Sequence, residues 1–138
     1  MKILIAMFVL LNISSCNESP VEVKENKEPV IFSLVAFPDV VYPNDSLIVI
    51  CNAYDPDGDT LVYDWYTSGI VKIKGLPPWA SGALFNSYEN SQIFYAPDSQ
   101  FVSAPKDTFR IECAARDGKG GQVSEVIKFI VKQNIGGD

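Results

Sequence analysis

The chain alternates between apolar and polar positions in short runs, which predicts a protein built of β-strands. Side chains of a strand point alternately to its two faces, so a period of two is typical of a sheet that buries one face. Such runs predict eight strands, over residues 30–37, 47–54, 60–67, 70–74, 83–88, 91–96, 107–116 and 122–132. No stretch predicts a helix longer than one turn, and the fold class is therefore predicted to be all-β.

Two distant strands each place a cysteine on their predicted inner face. Cys51 shares a strand face with Val49, and Cys113 shares one with Ile111. The strand after the first cysteine has Trp65 on its inner face. Cysteines on two strands beneath a tryptophan are characteristic of an immunoglobulin-type sandwich. We therefore expect one antiparallel β-sandwich of about seven or eight strands.

The first sixteen residues have the pattern of a secretory signal. Lys2 is followed by an apolar run over residues 3–11, which is too short to span a bilayer comfortably. Residues 13–16, Ile-Ser-Ser-Cys, resemble the bacterial lipobox, in which an aliphatic residue and two small residues precede a lipidated cysteine. The resemblance implies lipidation of Cys16. The alternative is ordinary signal cleavage nearby, which leaves Cys16 as a free thiol or removes it.

The remaining chain divides into a tether, a domain and a short end. Residues 17–29 are polar and end at a proline, so they predict a flexible tether. The sandwich is expected over residues 30–133, and residues 134–138 are expected to be a disordered C-terminal end. A lipid on Cys16 would hold this domain at the bacterial cell envelope, on the periplasmic or surface side of the outer membrane, with no other membrane contact.

The chain has three cysteines, an odd number. If Cys16 carries a lipid, Cys51 and Cys113 remain as a pair in an oxidising compartment. A disulfide between them is the predicted state, worth about 4 kcal/mol in the loop-closure account. The alternative is two buried thiols packed as small apolar side chains. Either state is structural, because the chain has no Cys-x-x-Cys motif.

Four aspartates are candidates for a calcium site. Asp55, Asp57 and Asp59 alternate in the turn after the first cysteine strand, and Asp117 lies in a glycine-rich turn expected at the same end. Converging carboxylates suit Ca²⁺, whereas the absence of histidine argues against zinc or copper. The alternative is that these aspartates and glycines form turns and bind backbone amides. Calcium is the one candidate cofactor, and none is certain.

Aromatic residues after a Pro-Pro pair are candidates for ligand binding. Trp79 follows the two prolines, and Phe85 and Tyr88 come shortly afterwards. An exposed tryptophan on a rigid turn can stack on a sugar ring or anchor a protein partner. The alternative is that the three aromatic side chains close the open edge of a small sandwich.

Composition excludes several classes of function. The net charge of −6 disfavours binding to phosphate backbones, so no nucleic-acid partner is expected. The chain has no histidine, which is the usual general base. We therefore expect a protein that is not an enzyme.

Three segments resemble a known family of domains. Residues 53–65, Ala-Tyr-Asp-Pro-Asp-Gly-Asp-Thr-Leu-Val-Tyr-Asp-Trp, resemble the B–C region of polycystic-kidney-disease-type (PKD) and related bacterial Ig-like domains. Residues 94–97 and 108–121 resemble the segment before the E–F loop and strand F with its F–G turn. The resemblance covers about residues 30–132 and implies an Ig-like sandwich. Most such domains lack the cysteine pair, and the antibody-type tyrosine corner is absent because Ile111 stands two residues before Cys113.

These features together predict a non-catalytic binding or interaction module of a cell-envelope lipoprotein. The expected partner is an envelope protein or a glycan. One alternative is a structural spacer or subunit of a surface assembly. Another is a carbohydrate-binding module that uses an exposed Trp79.

Overall fold

The computed structural model describes residues 23–77 and 84–133, and it confirms the all-β prediction. Within these ranges nine strands form: β1 Val30–Phe37, β2 Val40–Val41, β3 Ser46–Tyr54, β4 Val62–Thr67, β5 Lys72–Ile73, β6 Phe85–Ser87, β7 Ser91–Tyr95, β8 Lys106–Arg116 and β9 Gln122–Lys132. The helix found there is one 3-10 turn over Ser99–Phe101. No helix in the described ranges is long and apolar enough to cross a bilayer. The predicted signal with Cys16, Trp79 and the predicted disordered end lie outside the described residues.

Two sheets face each other and form a sandwich. One has four strands in the order β1-β3-β7-β5, and the other has five in the order β2-β9-β8-β4-β6. All pairs are antiparallel except β2 with β9, which is parallel. Strand β2 was not predicted, because two residues between Pro38 and Pro43 are too few to show a period. Its presence accounts for nine strands where about seven or eight were expected.

The core lies between the two sheets and is centred on Trp65. This side chain is fully buried on β4, directly opposite Cys113 of β8 in the strand register. Cys51 of β3 is fully buried on the facing sheet. The ring of Phe94 on β7 meets the indole edge to face, with centroids 5.8 Å apart and planes at 63°. Full burial of a side chain such as Phe94 contributes about 3 kcal/mol to the stability of the fold. The packing of this cluster therefore stabilises the arrangement of the two sheets.

Candidate functional sites

The first acidic turn, after β3, is held by its own carboxylate. Oδ1 of Asp55 accepts hydrogen bonds from the backbone amides of Asp57, at 2.7 Å, and Asp59, at 3.2 Å. Gly58 has a φ of +81°, a conformation that side chains with a Cβ rarely adopt. Asp55 therefore acts as a turn-forming residue, as the second of the two sequence alternatives proposed.

The second acidic turn, between β8 and β9, is organised around Asp117. Its Oδ1 accepts from the backbone amides of Lys119 and Gly121, at 2.7 and 2.9 Å. Its Oδ2 accepts from the side-chain amide of Asn26 at 2.6 Å, and this bond is the main cause that lowers the pKa of Asp117. A Cβ on residue 121 would collide with the Asp117 carboxylate, which explains the glycine there.

Lysines neutralise the two remaining aspartates. Nζ of Lys24 lies 2.7 Å from Oδ1 of Asp57, and this contact is the main cause that lowers the pKa of Asp57. Nζ of Lys119 lies 2.6 Å from Oδ1 of Asp59, and this pair joins the two turns at one end of the sandwich. Each of these two carboxylates therefore has a lysine as its partner in the structure. Across residues 23–77 and 84–133 no group of three or more acidic, histidine or cysteine side chains is arranged to hold a metal ion.

The end of the predicted tether lies against both acidic turns. Besides the Lys24 and Asn26 contacts, the backbone amide of Lys27 donates to Oδ2 of Asp57 at 2.8 Å. Pro29 is buried against the domain, close to Gly121. The polar composition that predicted flexibility over residues 17–29 therefore also supplies the groups that attach residues 24–29 to the sandwich.

The two core cysteines lie in contact between the sheets. Both are fully buried, and their sulfurs form a hydrogen bond as thiols in this structure. That bond and burial raise the pKa of the Cys113 thiol, so it does not ionise at neutral pH. A buried, protonated thiol is a poor nucleophile, which agrees with a structural pair. The predicted disulfide of the exported protein stays a prediction.

The structure separates the two predicted ligand-binding aromatics that it describes. Phe85, on β6, is half-buried and packs against the core. Tyr88, three residues later, is 76% exposed. Phe85 thus has the edge-closing role that the sequence left as an alternative, while Tyr88 remains available at the surface.

Strand β1 presents an apolar surface that sequence reasoning missed. Its inward side chains, Ile31, Leu34 and Ala36, pack against the core. The outward ones are exposed, and together with Tyr54 of β3 they form what we call the β1 face: Val30, Phe32, Val35, Phe37 and Tyr54. The rings of Phe32 and Tyr54 are in contact, with centroids 6.5 Å apart. The available signal was a strand that is apolar at nearly every position, which is also the pattern of a strand buried on both faces.

A buried ion pair was also missed. Asp64 of β4 is 3% exposed and receives two hydrogen bonds from Arg116 of β8, one from Nε and one from Nη2 at 2.8 Å. The bidentate contact raises the pKa of Arg116. Asp64 lies opposite Ala114 and Val62 lies opposite Arg116, so the pair joins diagonal positions of neighbouring strands. One aspartate in a strand gives no hint of its partner 52 residues away.

The fold is similar to that of a solved β-sandwich structure. A structure described as the basis for promiscuous specificity of carbohydrate-binding modules from the β-sandwich superfamily aligns with a TM-score of 0.59 and 16% identity. The alignment covers 83% of this chain but 38% of that chain, so this chain spans well under half of its length. A conjugative transposon lipoprotein from Bacteroides eggerthii DSM 20697 aligns with a TM-score of 0.44 and 9% identity, over 74% of this chain and 94% of that one.

Comparison by sequence identifies no relative. No protein-family model matches the chain, and no curated protein matches it. The likeness to the carbohydrate-binding modules, at 16% identity, establishes the fold class alone. The chain is therefore a two-sheet β-sandwich, and its membership of the PKD-type subfamily stays a prediction.

Proposed function

We propose that the protein is a non-catalytic binding module of a bacterial cell-envelope lipoprotein, and that its β1 face contacts a protein partner. The observation that carries this proposal is the exposure of that face. Phe32 is 67% exposed and Phe37 is 75% exposed, on a strand that contains no charged residue. Exposed apolar side chains grouped on one strand, as here, are typical of sites of protein association.

Site-specific photo-crosslinking tests the partner. A photoreactive amino acid replaces Phe32 in one variant and Tyr88 in a matched control, since both are exposed aromatic residues on different parts of the surface. The proposal predicts a discrete protein adduct in cells from position 32 and none from position 88. Equal adducts from both positions, or none from either, would contradict it, and the second result would favour the structural spacer.

We also propose that Cys16 carries the lipid that anchors the module at the envelope. The sequence Ile13-Ser-Ser-Cys16 supports this step. Growth with labelled palmitate should label the wild-type protein and leave Cys16→Ala unlabelled. A label that persists in Cys16→Ala, or wild-type protein found entirely in the soluble fraction, would contradict lipidation of Cys16.

Carbohydrate binding is the second candidate function. It is supported by the fold shared with carbohydrate-binding modules and by the exposure of Tyr88. A glycan array probed with the wild type and with Trp79→Ala and Tyr88→Ala variants tests the predicted aromatic site. Binding that both variants lose supports that site, and binding that both retain excludes it.

A further inference from the structure

A cleft lies at the end of the sandwich opposite the acidic turns. It has a volume of about 480 Å³, within the range of small-molecule sites, and it is lined by Tyr42, Pro43, Ser99, Gln100 and Gln133. Strand β3 runs from Ser46 at this end to Tyr54 at the end where residues 24–29 are attached. If Cys16 anchors the chain, the cleft is therefore at the end of the domain away from the attachment.

Hydrogen bonds between segments hold the walls of the cleft in place. In the turn before β3, the amide of Asp45 donates to the carbonyl of Tyr42 at 3.0 Å, and the amide of Ala96 donates to the carbonyl of Asp45 at 2.8 Å. At the end of β9, Nε2 of Gln133 donates to the carbonyls of Ser99, at 2.9 Å, and Val102, at 2.5 Å. The cleft thus joins three parts of the fold and is formed before any ligand binds.

The lining is uncharged in a protein with a net charge of −6. Two acidic residues that are close to the lining residues in sequence have partners of their own: Asp45 accepts from the amide of Tyr42 at 3.0 Å, and Asp98 pairs with Lys72 at 3.4 Å. A charged ligand would find no counter-ion among the lining residues. The cleft therefore suits a neutral ligand.

The lining combines apolar ring faces with groups that both donate and accept hydrogen bonds. The rings of Tyr42 and Pro43 offer flat apolar surface, and the hydroxyl of Ser99 and the amide of Gln100 offer donors and acceptors. Both amide protons of Gln133 are used by carbonyls, so its Oε1 remains as an acceptor. A sugar ring has C–H faces and a rim of hydroxyl groups, which match these two kinds of surface.

We propose that this cleft binds a neutral saccharide. The proposal rests on the assignment of the protein as a binding module, and Tyr88 is not among the residues that line the cleft. The protein contact at the β1 face is a separate claim, tested by cross-linking at Phe32, so either can fail without the other.

Binding of defined oligosaccharides to the purified full chain tests the cleft. The probes are neutral oligosaccharides of glucose, xylose, mannose and galactose, with sialylated and uronic-acid oligosaccharides as the charged set. We expect binding within the neutral set alone. Tyr42→Ala and Gln100→Ala should each weaken it about tenfold, the equivalent of roughly 1.4 kcal/mol. Tyr88→Ala should bind as the wild type does.

Nuclear magnetic resonance locates the ligand independently of the variants. On addition of the oligosaccharide that binds, amide signals of residues 42, 99, 100 and 133 should shift, while those of the acidic turns should stay in place. Gln100 is exposed, so its substitution should leave the fold intact even if Tyr42→Ala unfolds. Binding lost in Tyr88→Ala alone, binding unchanged in Gln100→Ala, or no binding of any neutral probe would overturn the proposal.

Discussion

At the scale of single residues, carboxylates placed away from bulk water determine how the strands and turns are joined. Asp64 lies buried on β4 and depends on Arg116 for its neutralisation. Asp117 gathers three donors, from Asn26, Lys119 and Gly121. A buried acceptor that loses its donor has no water to replace it, so these contacts should be sensitive to substitution.

Removal of Arg116 should destabilise the fold. Arg116→Ala leaves the Asp64 carboxylate buried without a partner, and we expect a loss of about 2 kcal/mol, below the 3–5 kcal/mol of a fully buried pair because water reaches Arg116. Urea denaturation measures it. Arg110→Ala, at an exposed arginine of the same strand, is the matched control. Equal stability of the two variants would show that the ion pair contributes nothing.

Acid should weaken the contacts between the tether and the turns. Lys24 lowers the pKa of Asp57, and Asn26 lowers that of Asp117. Because the folded values lie below the unfolded value near 4, both carboxylates stabilise the fold above about pH 4. This stabilisation is lost as the pH falls through the lower folded values.

Urea midpoints measured between pH 7 and pH 2 test that pH dependence. The wild type should become less stable below about pH 4, and Asp57→Asn should show a smaller loss on acidification. Asp39→Asn, at an exposed aspartate between β1 and β2, should follow the wild type. Identical acid profiles of all three proteins would contradict the assignment.

At the scale of elements, β1 has two apolar faces with different environments. The inward face packs against the core, and the outward face is exposed although it is equally apolar. An irregularity in the pairing with β3 between Ile31 and Ser33 changes which positions point outward. Stability should therefore depend on one face of the strand and association on the other.

Substitutions on the two faces of β1 should differ in how much they change the stability of the fold. The double variant Phe32→Ser, Phe37→Ser should change the free energy of unfolding by about 1 kcal/mol or less, since each exposed substitution is expected to change it by about 0.5 kcal/mol or less. Leu34→Ala should cost about 2 kcal/mol, at the low end of core truncations because Leu34 is half-buried. Thermal and urea unfolding measure the stability of both variants. A large loss of stability in the serine variant would mean that the outward face is structural.

The sequence predicted the elements well and their surroundings poorly. A run of mostly apolar residues located β1 over Val30–Phe37, and the period of two located β9 over Gln122–Lys132, both at the bounds that the structure has. The period of two could not locate β2, whose two residues form a strand by pairing with β9. Strand pairing is a contact between distant segments, and a local period carries no information about it.

The candidate sites show the same limit. The expected meeting of the two acidic turns is present in the ion pair of Lys119 with Asp59. The contact of Lys24 with Asp57 was not predicted, because those residues lie far apart in a polar segment without periodicity. The cleft at Tyr42 is assembled from three separate segments, and none of them carries a motif.

At the scale of the whole molecule, the two sheets meet at Cys51 and Cys113 beneath Trp65. We propose that these cysteines form a disulfide once the protein is exported. The bond would join strands from opposite sheets and reduce the conformational entropy of the unfolded chain by about 4 kcal/mol at room temperature. The disulfide requires export to an oxidising compartment, and it would hold the two sheets of the sandwich together.

Thiol counting in the exported protein tests this central claim most directly. The protein is denatured in iodoacetamide without a reductant and analysed by mass spectrometry. The account predicts that neither Cys51 nor Cys113 is alkylated, and that a peptide cross-linked through both is recovered. Alkylation of both cysteines in correctly exported protein would contradict it.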